Sequence, residues 1–255
     1  MSPMLLPNSV RDMSLFFGLT EKDRDDLLVE GSLRHYMRGQ ILFRHGEAVA
    51  QFYIVVVGLV QLYRENVDGS EKTIDLFRVG QTLCESEIMD ACRHHRASAK
   101  AIDEVTVLVF SAAWLKNTAK KHIAFALNLL SLISKQAHLA EVEAEHQATL
   151  SAAQMVACFL QRICVLYDFD HRSFDLPYSK TLIASRLGIE LETFSRALVK
   201  LKAQGVSVEG SHVRVSDLKR ITQYVCSFCS VVNACSTHQE LVNMSEDTAS
   251  IKKVR

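Results

Sequence analysis

The C-terminal part of the chain holds cysteines at a spacing that suits metal binding. Two residues separate Cys226 from Cys229, and five separate Cys229 from Cys235. Three clustered thiolates can hold an iron–sulfur cluster when a fourth ligand comes from elsewhere in the chain. Adding His238 gives a Cys3His set, which is typical of zinc sites, and reduced thiols on an amphipathic helix are the third interpretation. The spacing favours an iron–sulfur cluster over zinc or no metal.

The cysteine count also bears on redox chemistry. The chain has seven cysteines, and an odd, clustered set in a reducing compartment indicates metal or redox chemistry more than a disulfide framework. The four scattered cysteines are expected to pack as small hydrophobic side chains: Cys84, Cys92, Cys158 and Cys164.

A second group of residues could read the edges of DNA bases. Glu192, Ser195 and Arg196 are three and four positions apart, so they share one face of a helix. In the major groove an arginine reads guanine, a carboxylate accepts from cytosine, and a small side chain accommodates the thymine methyl group. The alternative is an ordinary solvent-exposed Glu–Arg pair. We predict this DNA-contacting set: Glu192, Ser195, Arg196, Thr193, Ser179, Lys180 and Lys200.

The sequence around these residues predicts a helix-turn-helix. Ser179 can cap a short helix that ends at Leu187, and Gly188 supplies the tight turn. A second helix then stops at Gly205. Three apolar side chains of this second helix are expected to point inward: Phe194, Leu198 and Leu201.

A wing is predicted directly after the helix-turn-helix. Residues 206–215 form two short strand patterns around Glu209-Gly210. Residues 180–220 hold eight basic side chains against four acidic ones, a local balance of +4 in a chain whose net charge is zero. That sign suits contact with phosphate.

The N-terminal part of the chain has the pattern of an antiparallel β-sandwich or barrel. Seven of the ten glycines fall between Gly18 and Gly80, with short runs rich in β-branched and aromatic residues between them. Asp68-Gly69 predicts a hairpin turn. Strands are predicted at residues 40–43, 52–57, 59–63, 72–77 and 105–110.

From Ala112 onward the apolar period becomes helical. Apolar residues recur every three or four positions from Leu115 to Ala144, which predicts one long helix of about thirty residues. Further leucines give it a second apolar face, so pairing with a copy of itself is favoured over burial inside one monomer. Another helix is predicted at residues 151–167, followed by a loop at residues 168–177.

These patterns divide an α+β chain into four parts. Residues 1–112 form a sensory β-roll domain with an N-terminal helix, and residues 113–147 form a dimerisation helix. Residues 148–222 form the winged helix-turn-helix domain, and residues 223–255 form a cysteine-containing tail.

Composition limits the classes of function. Hydrophobic content of 48% and charged content of 23% are ordinary for a soluble protein. No uninterrupted apolar run reaches the roughly 18 to 20 residues of a membrane span, and the start lacks a secretory signal. We therefore expect a cytoplasmic protein without a membrane partner. Because no Ser-His-Asp order, phosphate loop or His-Glu-x-x-His motif is found, we do not expect an enzyme.

Over roughly residues 15–222 the chain resembles transcription regulators of the CRP/FNR family. The glycine-spaced segment from Gly39 through Gly46-Glu47 to Gly80 resembles the family's cyclic-nucleotide-binding-like β-roll, and the long helix resembles its dimerisation helix. Glu192-Thr-Phe-Ser-Arg196 matches the Glu-x-x-Ser-Arg recognition signature of the FNR branch. The resemblance implies a homodimer that binds palindromic DNA with FNR-like TTGAT half-sites and has RNA polymerase as a partner.

The resemblance also bears on an effector pocket in the β-roll. Relatives that bind cyclic AMP hold its phosphate with a Gly-Glu pair and a later arginine. The matching residues here are Cys84, Glu85 and Arg96, with His95 at the arginine position itself. A phosphate site needs bare backbone N–H groups and an aimed cation. A structural pocket is therefore favoured over cyclic-nucleotide binding.

The C-terminal cysteines resemble those of a Gram-positive subset of the FNR branch. That subset holds an iron–sulfur cluster, of the 4Fe-4S type, with three cysteines and an aspartate on the dimerisation helix. Here the second cysteine spacing is one residue longer, and Glu141 or Glu145, or else His138, has to replace the aspartate. The resemblance implies sensing of oxygen or nitric oxide.

Three other interpretations stay open beside the iron–sulfur cluster. Haem could sense nitric oxide, with His95 or His122 as the histidine for this alternative. A small ligand could bind in the β-roll. The chain could also be a cyclic-nucleotide-binding regulatory subunit, although residues 178–215 then have no role.

Overall fold

A computed structural model describes residues 7–227, 229, 232, 235 and 237–242. The chain divides into two compact units, Met1–His138 and Leu139–Arg255. The division falls later than residue 112, the predicted end of the β-roll part. Much of the predicted tail lies outside the described residues, namely 228, 230, 231, 233, 234, 236 and 243–255.

The first unit is built on an antiparallel β-roll of two four-stranded sheets, with strand orders β1-β8-β3-β6 and β2-β7-β4-β5. Its centre is the run of β-branched and aromatic residues in β3, which is almost wholly buried. The strands are Ser32–Tyr36 (β1), Ile41–Phe43 (β2), Gln51–Val57 (β3), Val60–Glu65 (β4), Glu71–Phe77 (β5), Thr82–Leu83 (β6), Ser98–Ala101 (β7) and Val105–Ser111 (β8).

The predicted strands are confirmed, and so is the hairpin between β4 and β5. Its turn is held by Asp68, whose carboxylate accepts a hydrogen bond from the Ser70 backbone at 2.9 Å. Gly58 makes the turn between β3 and β4 at φ 82°, where a Cβ would collide with the Glu104 carbonyl oxygen. Glycine is therefore required there for both conformation and space.

Short helices surround the roll: Asn8–Arg11 (α1), Glu21–Val29 (α2), Glu85–Met89 (α3) and Ala112–Lys121 (α4), with a 3-10 turn at Ser14–Phe16. The ring of Trp114 on α4 stacks on Phe110 of β8, with centroids 3.8 Å apart. Phe125 meets the edge of Trp114. Such aromatic pairs add about 0.5–1.5 kcal/mol each beyond the area they bury, so this cluster ties α4 to the roll.

The prediction of one continuous helix from Ala112 is wrong. His122 takes an extended conformation, with φ −119° and ψ 102°, and separates α4 from the long helix Ile123–Thr149 (α5). The apolar period continues across His122, so the pattern alone could not reveal the break.

Helix α5 leaves a row of apolar side chains open to solvent. Ile123, Leu127 and Leu130 are 80%, 61% and 63% exposed. One 18-residue window of α5 reaches a mean hydropathy of 1.2, so α5 could cross a membrane by length and composition alone. One such helix among the described residues is weak evidence of a span, because other apolar helices pass the same test.

The second unit combines helices with a small sheet of order β10-β11-β9. Its core contains Val156 on α6, Ile183 on α7, Phe194 on α8 and Ile221 on α9, all nearly inaccessible. The elements are Ala152–Leu166 (α6), Ser173–Asp175 (β9), Lys180–Leu187 (α7), Leu191–Lys202 (α8), Val206–Glu209 (β10), His212–Val215 (β11) and Leu218–Cys226 (α9).

Candidate nucleic-acid interface and thiol sites

The helix-turn-helix is formed by α7 and α8, as the sequence predicts. The Ser179 hydroxyl caps α7 by accepting from the Leu182 backbone at 3.2 Å. Gly188 ends α7 in the left-handed region at φ 68°. Phe194 and Leu201 then anchor α8 in the core. The opposite face of α8 is left to solvent.

The predicted reading residues share that solvent face. Arg196 donates to the Glu192 carboxylate at 2.6 Å, and both side chains are 76% exposed. The Ser195 hydroxyl is also exposed and donates to the Leu191 carbonyl oxygen at 2.9 Å. A guanidinium, a carboxylate and a small hydroxyl therefore form one compact polar patch. These are the group types that can address base edges.

The other predicted DNA contacts differ in their exposure. Thr193 and Lys180 are half-buried, whereas Lys200 in the last turn of α8 is exposed. Ser179 is exposed, but its hydroxyl already serves the cap of α7. Further exposed cations of this unit are Lys202, Arg214, Lys219 and Arg220.

Arg186 does not belong to the exposed basic set, although it counts toward the +4 balance. It donates two hydrogen bonds of 2.8 Å to Glu143 on α5, and Arg162 on α6 donates a third at 2.9 Å. Burial alone raises the pKa of Glu143, but the charges of Arg186 and Arg162 outweigh it and lower that pKa. The carboxylate therefore stays ionised and joins α5, α6 and α7.

The wing has one strand more than the sequence predicts. β9 pairs with β11, so the predicted loop at residues 168–177 is wrong for residues 173–175. His212 fixes the pairing, because its ring nitrogens lie 3.0 Å from Ser173 Oγ and 3.1 Å from Asp175 Oδ1. A three-residue strand with one buried aromatic residue, Phe174, leaves almost no alternating signal.

The C-terminal cysteines lie near two groups that the sequence did not single out as ligands, His146 on α5 and Cys158 on α6. His146 Nε2 is 3.4 Å from Cys229 Sγ. Burial, followed by the charge of Arg162, lowers the pKa of His146, which favours the neutral imidazole that binds metals. The predicted ligand Glu141 is exposed and Glu145 is half-buried. His146 is thus an α5 side chain in contact with Cys229.

Cys158 lies within electrostatic reach of all three tail thiols. Burial raises the pKa of Cys226 to about 12, and nearby Cys158, Cys229 and Cys235 contribute. Burial raises the pKa of Cys158 to about 11, with Cys235 and Cys229 adding to it against the charge of Arg162. A cysteine inside an apolar helical stripe looks like a core residue. The sequence carried no signal that separates Cys158 from such a residue.

In the first unit, the predicted effector residues do not come together. Cys84 and Glu85 are buried, and Glu85 accepts a hydrogen bond from Gln136. Arg96 instead lies at the surface, where it pairs with Asp90. Arg96 is therefore not the cation of this pocket. The residue beside Cys84 is His95, whose Nδ1 is 3.9 Å from Cys84 Sγ.

Comparison with known protein families agrees with this architecture. Residues 33–122 match the cyclic nucleotide-binding domain, and residues 154–224 match the Crp-like helix-turn-helix domain. The chain is thus a DNA-binding transcription regulator with a cyclic-nucleotide-binding-type β-roll. The two domains, together with its relatives, support its place in the CRP/FNR family.

The relatives are regulators of similar length but low identity. The anaerobic regulatory protein of Haemophilus influenzae is 23% identical over 221 residues, which cover 84% of this chain and 85% of the relative. The nitrogen fixation regulation protein FixK of Rhizobium meliloti is 27% identical over 171 residues, covering 67% and 75%. A solved CooA mutant from Carboxydothermus hydrogenoformans matches with a TM-score of 0.69 and 21% identity, covering 88% of this chain and all of its own. That likeness shows the shared fold.

Proposed function

We propose that the protein is a homodimeric regulator of the FNR type that reads palindromic DNA through α8. The observation that carries the proposal is the exposed patch of Glu192, Ser195 and Arg196 on a helix whose other face is anchored in the core. The Glu-x-x-Ser-Arg spacing indicates FNR-like TTGAT half-sites. RNA polymerase is the expected protein partner, and the cytoplasm the expected location.

The exposed apolar row of α5 supports the dimer. Ile123, Leu127 and Leu130 are spaced by four and three residues, the spacing of a coiled-coil seam. Covering this row with a second copy removes it from water and gives two recognition helices. Two-fold symmetry of the protein then matches a palindromic site.

For the signal, we propose an iron–sulfur cluster of the 4Fe-4S type on Cys226, Cys229 and Cys235, switched by oxygen or nitric oxide. A cluster takes one protein thiolate at each iron, and the three tail thiols together with nearby Cys158 would supply four. Cys158, rather than Glu141 or Glu145, is the fourth ligand that the neighbouring thiols favour.

Zinc is the second candidate at the same cysteines, and His238 favours it. The His238 backbone donates to Cys235 Sγ at 3.4 Å. Its buried Nδ1 has no hydrogen-bond partner among the described residues. A Cys3His set would give that nitrogen a metal partner.

The DNA-reading proposal is tested by fluorescence anisotropy with a palindromic TTGAT probe and single-base variants of it. Arg196→Ala should cost about 1 to 3 kcal/mol and relax the preference at one base pair, because only a base contact carries sequence information. Lys200→Ala is the matched control, and it should weaken all probes alike. A uniform loss for Arg196→Ala would reassign Arg196 to a phosphate contact.

The cluster proposal is tested on anaerobically purified protein by visible absorption together with iron, acid-labile sulfide and zinc assays. We expect a broad visible band that bleaches in air, with matched iron and sulfide. Cys229→Ser and Cys158→Ser should both lose the band and the tight binding to the palindrome, whereas Glu145→Gln should keep them. Stoichiometric zinc without sulfide would establish the zinc site instead. A band that survives Cys158→Ser but not Glu145→Gln would restore the glutamate ligand.

A further inference from the structure

A second group of metal-binding side chains lies in the β-roll, far in sequence from the C-terminal cysteines. Cys84, Glu87 and His95 each offer one donor atom, and these atoms all lie within 4.8 Å of one another. His95 Nδ1 is 2.7 Å from Glu87 Oε2 and 3.9 Å from Cys84 Sγ. One imidazole nitrogen therefore faces both a carboxylate and a thiol.

The three side chains are held in place by their surroundings. The His95 ring stacks on Phe43 with centroids 4.0 Å apart. The His95 backbone donates to Glu47 at 2.8 Å and accepts from Gly46 at 2.9 Å. Glu87 accepts from the Arg96 backbone at 2.8 Å through its second oxygen. Little reorganisation is needed for these donors to face a common point.

The backbone at Cys84 supports a role for its thiol. Cys84 lies in the left-handed region at φ 74°, which costs a non-glycine residue of order 1–3 kcal/mol, and such strained residues cluster at functional sites. A glycine would avoid this cost. The side chain is nevertheless present, is only 9% exposed, and points its sulfur at His95, which is 3% exposed.

We propose that Cys84, Glu87 and His95 bind one zinc ion in the β-roll, with one coordination position left for water or a small anion. A thiolate, an imidazole and a carboxylate are all zinc ligands, and three protein ligands are typical of an open zinc site. The soft thiolate disfavours magnesium and calcium. This site is independent of both the DNA-reading patch and the tail thiols.

The distances agree with that ion. Bonds of about 2.3 Å to sulfur and about 2.0 Å to nitrogen place tetrahedral donors about 3.5 Å apart. The sulfur and nitrogen are 3.9 Å apart, so a shift of a few tenths of an ångström suffices. The 2.7 Å contact between Glu87 and His95 has to open, because the metal replaces the proton they share.

The test uses the full chain with Cys226, Cys229 and Cys235 all changed to serine, so that the tail cannot compete. Cobalt(II), a spectroscopic substitute for zinc, is titrated and then displaced by zinc. We expect one equivalent to bind with a thiolate-to-cobalt absorption band that zinc abolishes. Absence of binding in this protein would overturn the proposal, whatever the outcome for DNA or for the tail cluster.

Cys84→Gly in that background separates loss of a ligand from loss of fold. Glycine removes the thiol and relieves the left-handed backbone, so the metal-free variant should melt no lower than its parent. Its cobalt affinity should fall by at least about 100-fold, the upper end of what loss of a mere supporting group causes. Cys92→Ser removes a nearby thiol that contacts Arg96. This variant should bind cobalt with the affinity of its parent. Equal affinity in Cys84→Gly and its parent would refute the site.

Discussion

The carboxylate of Glu143 on α5 accepts hydrogen bonds from arginines on two other helices. Because the donors are Arg162 and Arg186, the carboxylate joins the C-terminal part of α5 to α6 and α7. Removing one partner of a charged, partly buried network leaves the charges of the other partners without an opposite charge nearby. The two guanidinium groups would then repel each other at short range.

We expect Glu143→Gln to lower the free energy of unfolding by about 1.5 to 3 kcal/mol, the range for hydrogen bonds to charged groups. Urea unfolding at pH 7 measures it, with Glu209→Gln at the exposed wing turn as the control. The pKa of Glu143 is lowered in the folded protein. Its contribution to the free energy of unfolding is therefore fully present above the ordinary glutamate pKa of about 4.3, and it is lost as the pH falls through the folded pKa. Variant and parent should therefore converge in acid. A constant difference down to pH 2 would contradict this reading.

At the scale of elements, the sequence predicts features that depend on neighbouring residues, but it does not predict pairing between distant segments. The Ser179 cap, the Gly188 turn and the face of Glu192 and Arg196 depend on residues at most four positions apart, so the sequence predicts them. Strand β9 depends on its pairing with β11, a distant segment of the chain, and its own three residues carry no clear period. The apolar period runs on through His122, so it gives no sign of the break there.

The same limit applies to the candidate sites. His146 and Cys229 are 83 positions apart in the sequence, so no local pattern predicts their contact. His95 and Glu87 are eight residues apart, but they face each other only because the chain turns back after α3. Arg96 was predicted as a pocket residue, but it lies at the surface beside Asp90, and its neighbour His95 approaches Cys84 instead.

At the scale of the whole molecule, dimerisation through α5 is the proposal with the widest consequences. Leu130→Glu puts a charge on the exposed apolar row, where its burial against a second copy is unfavourable. We expect sedimentation equilibrium to show a monomer, and binding to the palindrome to fall to the level of a single half-site. Val67→Glu, at a fully exposed position in the β4–β5 turn, should stay dimeric. A dimeric Leu130→Glu protein would exclude this face as the seam.

The pairing of Glu192 with Arg196 bears on how such a regulator searches a chromosome. In the proposed DNA complex the ion pair of Arg196 with Glu192 has to open before either side chain contacts a base. A target site with an acceptor for the guanidinium and a donor for the carboxylate would replace both partners, whereas nonspecific DNA would offer phosphates to the arginine and no partner to the carboxylate. We therefore expect the pair to lengthen the dwell time at targets relative to other sequences, which matters where competing sites outnumber targets by about a millionfold or more.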